Sequence, residues 1–126
     1  MDAPVLKLEH VDSRGEIYSI TLPGDRELML LHSKEGSLRG GHAHDVDEVV
    51  TILTGKMTYC KYDGVSEGHE VIRGGDTSFN PAGEFHMGEF LEDSWLIEWR
   101  IGTSKGKSKN INYGPWRERV DANAVV

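Results

Sequence analysis

Apolar residues in this chain come in short runs separated by glycine, proline and acidic punctuation, and no stretch sustains a helical period. Leu6 to Val11 alternates loosely, and Asp12-Ser13-Arg14-Gly15 turns it into Glu16 to Ile20. After Pro23-Gly24-Asp25, Glu27 to His32 carries Leu28-Met29-Leu30-Leu31 between turn signals too close together for a helix. The pattern then predicts strands over Leu38 to His44, Glu48 to Leu53, Met57 to Tyr62, Glu67 to Arg73, Thr77 to Phe79 and Phe85 to Leu91. A last strand, Trp95 to Ile101, sets Trp95, Ile97, Trp99 and Ile101 on one face and Leu96, Glu98 and Arg100 on the other. Short strands at regular spacing with glycine-rich turns predict an all-β barrel or sandwich.

Past Gly102 the pattern changes. Thr103 to Lys109 is polar and basic and reads as a surface loop or mobile stretch, but Tyr113-Gly114-Pro115-Trp116 brings back aromatics that a free tail would waste. The expected organisation is one barrel domain over 1–102 and an extension over 103–126 that docks on the barrel or on a second subunit. A length of 126 residues holds one domain, and no apolar run is long enough to span a bilayer. Met1-Asp2-Ala3-Pro4 lacks a basic stretch followed by an apolar one, so no secretory signal is expected. The net charge of -7 argues against general nucleic-acid binding, which depends on neutralising phosphates. A single cysteine, Cys60, rules out an intrachain disulfide and fits a reducing cytoplasm; it reads as a small buried hydrophobe rather than a nucleophile.

The candidate chemistry lies at Arg39-Gly40-Gly41-His42-Ala43-His44-Asp45-Val46-Asp47-Glu48. On a strand, His42 and His44 project side by side, and a turn over Asp45 to Asp47 brings Glu48 at the head of the next strand back toward them. Two nitrogens and an oxygen then converge, leaving a fourth donor to be found. Downstream, Gly75 to His86 places a proline and a glycine just before a strand that carries one histidine.

Together the stretches read G-x5-H-x-H-x3-E-x6-G and G-x5-P-x-G-x2-H, a pair that resembles the two conserved motifs of the cupin superfamily over Gly36 to Phe90. The resemblance implies an all-β, single-domain, cupin-type antiparallel β-barrel (a jelly roll) holding a divalent metal on His42, His44, Glu48 and His86. These donor types admit Fe, Mn, Ni or Zn and do not select among them. The second motif usually ends in an asparagine four residues after its histidine. Here Phe90 stands there, on the face of His86, and sets an apolar wall at that point.

Three functions follow. In the first, the chain is a metal-dependent enzyme acting on a small carboxylate- or carbonyl-containing molecule, with Arg39 orienting the substrate; Arg39 reads equally as an edge charge paired with an acid. The second comes from Asp12-Ser13-Arg14-Gly15 and Arg39 to His44, which resemble dTDP-sugar 3,4-ketoisomerases and, more distantly, 3,5-epimerases. Those enzymes use no metal, and the likeness implies His42 and His44 as acid/base residues and Arg39 as a contact to the nucleotide sugar. The third is a barrel that binds a metal or small ligand without turnover. His10, His32 and His69 read as surface or loop residues, and Glu98 and Arg100 as structural charges paired with neighbouring residues or, if their face turns into the barrel, as groups that meet substrate or support the ligands. A small-molecule ligand and a homodimer paired through sheet edges are the expected partners, with neither nucleic acid nor membrane.

Overall fold

The computed structural model describes residues 3–102 and 109–124. The loop expected over Thr103 to Lys109 therefore lies, for 103–108, outside the described residues. Among the described residues the chain forms β1 (Val5–Asp12), β2 (Gly15–Leu22), β3 (Arg26–Ser33), β4 (Leu38–His44), β5 (Glu48–Thr54), β6 (Lys56–Tyr62), β7 (Glu67–Arg73), β8 (Thr77–Asn80), β9 (Phe85–Phe90), β10 (Ser94–Arg100), β11 (Asn110–Asn112) and the helix α1 (Gly114–Asn123). The ten strands read from the alternation are all present, with ends that differ by a residue or two. Strand β11 and helix α1 are additions that the pattern did not yield.

Two antiparallel sheets face each other, one in the order β1-β2-β3-β10-β5-β8 and the other β11-β4-β9-β6-β7. They form a jelly roll open at its edges. Between them lies the main core, built from Leu31, Val50, Ile52, Met57, Tyr59, Ile72, Phe90 and Leu96. A second cluster, Leu38, Met87, Trp116 and Val120, lies where α1 covers the back of β4 and β9. Pro115 opens this helix, where a missing N–H costs nothing, and Trp116 and Val120 sit one turn apart on its buried face.

Helix α1 seats tightly because β4 carries two consecutive glycines. Gly40 and Gly41 have φ of +96° and +79°, a region L side chains rarely adopt. A Cβ on Gly40 would come within 2.7 Å of the His86 carbonyl oxygen, and one on Gly41 within 3.1 Å of the Arg117 backbone. The pairing of β4 with β9 shifts by one residue here: Gly40 faces Met87, but His42 faces His86. This bulge reverses the alternation of the strand and places Arg39 and His42 on the same, inner face.

The outer face of the six-stranded sheet departs from the usual polar exterior. Pairing aligns Leu6 with Ile20, Leu8 with Tyr18, Tyr18 with Leu30, and Leu30 with Ile97. Trp99 and Phe79 both face Val49. Leu6, Leu8, Phe79 and Trp95 are exposed, and nothing else in the described chain covers this face.

Candidate metal centre

The β4 bulge, the turn that carries the chain from β4 across to β5 in the facing sheet, and the start of β9 bring the motif residues to one place between the sheets. The ring centroids of His42, His44 and His86 lie 4.7–5.1 Å apart pairwise, and one nitrogen from each falls within 4.8 Å of the others. Glu48 sets its carboxylate against two of them, Oε2 at 3.1 Å from His44 Nε2 and Oε1 at 3.3 Å from His86 Nε2. All four residues named from the sequence are therefore neighbours, and Glu48, His44 and His86 are buried.

The protonation pattern suits a cation. Burial, and then the His86 and His44 imidazoles, push His42 down to about 3. Burial likewise takes His86 to about 4, so both rings are neutral near pH 7. Burial opposes ionisation of Glu48, but His44, His86 and Arg100 together hold its carboxyl down to about 2. Glu48 Oε2, although buried, has no contact of hydrogen-bond geometry; it faces His44 Nε2 and Arg100 Nε, each at 3.1 Å. His44 Nδ1 meets Asn110 Oδ1 at 2.8 Å, which points the lone pair of Nε2 inward. The carboxylate meets imidazole nitrogens at 3.1 Å from Oε2 and at 3.3 Å from Oε1, separations that fit one divalent ion, since donors about 2.1 Å from a centre lie roughly 3.0–3.4 Å apart.

Three neighbours escaped the sequence reading, and a fourth, Arg100, was named there without a place in the site. Asn80 donates from Nδ2 to Glu48 Oε1 at 3.2 Å and to the Tyr59 hydroxyl at 2.7 Å, fixing the carboxylate. Burial keeps the Tyr59 phenol well above its ordinary range, so it stays protonated. Asn110 arrives on β11, whose pairing with β4 sets Asn110 opposite His44. Arg100 decides between the two readings of Glu98 and Arg100: their face turns inward, against the reading as structural charges alone. Leu96, Glu98 and Arg100 form the inner face of β10, and Arg100 reaches Glu48 Oε2 with Nε at 3.1 Å. Glu98 lies 3.9 Å from Arg100, and burial together with Glu48 raises its carboxyl to about 7. Strand alternation had separated the two faces correctly; it does not say which of them turns inward. The three other histidines all lie on strands. His32, expected at the surface, is half-buried, with Nδ1 2.9 Å from Glu16 and its ring stacked on Trp95.

Beside the histidines lies a cavity of about 220 Å³. Leu31, Val50, Met57, Phe90 and Leu96 form its apolar walls, and Phe90 takes the wall position expected of it. Arg39, Arg14, Arg117 and Glu98 add charge around it. Arg39 is buried, held by Nε to Ser33 Oγ at 2.6 Å and Nη2 to the His32 carbonyl at 3.0 Å. Burial and Arg14 lower it to about 10. Among the described residues no carboxylate forms an ion pair with Arg39, and its guanidinium is held by the two neutral groups just named. Arg14, by contrast, is paired with Asp12 at 2.7 Å.

No family model matches the sequence, and no curated protein matches it. Solved structures do. The capsular polysaccharide assembling protein CapF from Staphylococcus aureus superposes with a TM-score of 0.72 at 23% identity, over 86% of this chain and 34% of that one. The oxalate decarboxylase–formate complex of Lactobacillus farciminis gives 0.72 at 15% identity, over 90% and 35%, and the hazelnut (Corylus avellana) vicilin 0.67 at 13%, over 85% and 34%. All three are cupins. This chain has the cupin fold. It spans about a third of the length of these cupins, and at such identity the likeness establishes architecture alone.

Proposed function

We propose that this cupin is a metal-dependent enzyme acting on a small carboxylate- or carbonyl-containing molecule, with His42, His44, Glu48 and His86 holding a divalent transition metal. The observation that carries this reading is the convergence of His42, His44 and His86, one nitrogen of each within 4.8 Å of the others, on the buried Glu48 carboxylate, beside a cavity that His42 and His86 line. When bound, the ion would supply Lewis-acid or redox activation of an oxygen ligand. The chain's own residues do the rest. Arg39, fixed by Ser33 and His32, presents its guanidinium to a substrate carboxylate; Phe90, Leu96 and Val50 exclude water; Asn80 keeps Glu48 in place. Two neighbours support this choice of ligand: an oxalate decarboxylase was solved with formate, and CapF with 3-isopropenyl-tropolone, whose adjacent oxygens suit a metal.

The test is elemental analysis of protein purified without added metal, alongside His86→Ala. About one equivalent of Fe, Mn, Ni or Zn in the wild type, and affinity lowered at least about 100-fold in the variant, is the expected result. Full activity in demetallated protein would end this reading.

A second reading draws on Arg14, Arg39 and Arg117 at the cavity, a basic rim suited to a nucleotide sugar, with His42 as a base and no metal. Binding of a dTDP-sugar to protein free of metal would favour it. Binding of metal with no turnover of any carboxylate or carbonyl compound would leave a ligand-binding cupin. The partner is a second copy of this chain, placed on the outer face of the six-stranded sheet. Six strands about 4.8 Å apart and roughly 20 Å long offer on the order of 1,100 Å² over two copies, just above the roughly 1,000 Å² that a specific interface should clear.

A further inference from the structure

Arg100 stands inside the ligand set. It enters from the end of β10 with its side chain only 12% exposed, Nε 3.1 Å from Glu48 Oε2 and Nη2 3.3 Å from His44 Nε2. Nε and Nη2 share one edge of the guanidinium, and that edge lies against two ligand atoms that are themselves 3.1 Å apart: Nη2 hydrogen-bonds His44 Nε2, and Nε pairs with Glu48 Oε2 by charge, without hydrogen-bond geometry. A guanidinium only donates. His44 Nε2 must therefore accept from it, and the imidazole proton belongs on Nδ1, against Asn110 Oδ1. This is the tautomer a metal needs, and the lone pair given to Arg100 is the one a metal would take. One lone pair serves one partner.

We propose that Arg100 is a placeholder cation: it holds the His44 nitrogen and the Glu48 oxygen until a metal displaces it, and its guanidinium then passes to Glu98. The receiving carboxylate is already adjacent, with Glu98 Oε1 3.9 Å from Arg100 Nη2 on the same inner face of β10. A divalent ion on His44 and Glu48 would repel a guanidinium left between them, which gives the movement its direction. The arrangement sets metal affinity by competition. It keeps Glu48 neutralised in the metal-free protein, where an unpaired buried carboxylate would be costly. The proposal rests on the metal-dependent reading above and is tested separately from it.

The experiment measures Zn²⁺ affinity by competition with a chromophoric chelator for the wild type, Arg100→Gln, Glu98→Gln and the double variant. If Arg100 competes with the metal, Arg100→Gln binds Zn²⁺ about tenfold or more tightly than the wild type, and Glu98→Gln binds it more weakly. In the Arg100→Gln background, the Glu98→Gln effect shrinks toward zero, because its role is to receive the arginine. If Arg100 instead serves to hold Glu48 in place for the metal, Arg100→Gln weakens binding, and that sign overturns the proposal. Equal effects of Glu98→Gln in both backgrounds overturn the hand-off. The Arg100 Nε–H resonance in ¹⁵N spectra of the wild type gives a reading that needs no variant: it shifts on Zn²⁺ addition if the side chain moves, and an unmoved resonance in the zinc-bound protein overturns the proposal. Absence of Zn²⁺ binding in every protein would remove the metal-dependent reading itself and this proposal with it. Zinc bound normally, with Arg100→Gln unchanged, would remove this proposal alone.

Discussion

At the scale of single residues, the site is defined by what its polar atoms lack. Glu48 Oε2 has no contact of hydrogen-bond geometry, and Arg39 is a buried guanidinium without an ion-pair partner among the described residues. The first makes Glu48→Gln informative, since the amide keeps the shape and removes the charge. Metal affinity should fall at least about 100-fold with little change in fold, as read by chelator competition and circular dichroism. The second makes Arg39→Gln a test of substrate orientation. KM for a carboxylate substrate should rise about tenfold or more, and metal content should stay unchanged. The same burial sets the response to acid. His42 and His86 fall from 6.5 to about 3 and about 4, so as the pH drops below 6.5 the unfolded chain takes up protons that the folded chain refuses. Stability of the metal-free protein is then lost progressively down to those values. Glu98, raised from 4.5 to about 7, works in the opposite sense, gaining stability as the pH falls through that interval. Two imidazoles outweigh one carboxyl, so urea midpoints should decrease on acidification from about pH 7 to about pH 5, and more steeply in Glu98→Gln. A midpoint that rises would contradict this ordering.

Among the elements, β4 does the most with the least chain. Strict alternation would set Arg39 and His42 on opposite faces; the bulge at Gly40 and Gly41 puts both inside. The glycine pair was visible in the sequence, and so were the ten strands, because apolar alternation and turn residues mark them. The four motif residues were also legible, through the likeness of their spacing to the two cupin motifs, although Glu48 reaches the histidines from the facing sheet and not from a neighbouring strand. Which face of β10 turns inward was not, because Leu96-Glu98-Arg100 looks more polar than Trp95-Ile97-Trp99, and the chain exposes its apolar face instead. Helix α1 was hidden for another reason: only Trp116 and Val120 are buried on it, too few to write a period. The same contacts predict that Gly41→Ala costs about 1–3 kcal/mol, from a left-handed φ and a Cβ pressed on the Arg117 backbone. Trp116→Ala should cost about 3–5 kcal/mol by emptying the space over Leu38 and Met87. Denaturant titrations of the two variants measure both.

For the whole molecule, the unusual surface is the back of the six-stranded sheet, where Leu6, Leu8, Tyr18, Leu30, Ile97, Trp99 and Phe79 form an apolar face. If a second copy covers it, Ile97→Lys should convert a dimer to a monomer in sedimentation equilibrium and leave metal content intact. A wild type that sediments as a monomer would argue against it. No helix of the described chain is long and apolar enough to cross a membrane. The pairing of β11 with β4 has a practical consequence. The barrel, taken as 1–102, contains every proposed ligand, but Asn110, which orients His44, comes from beyond that boundary. Trimming the protein to its barrel would thus yield a fragment with the full set of donor atoms and no guide for one of them, and any assay of such a fragment would understate what the intact chain can hold.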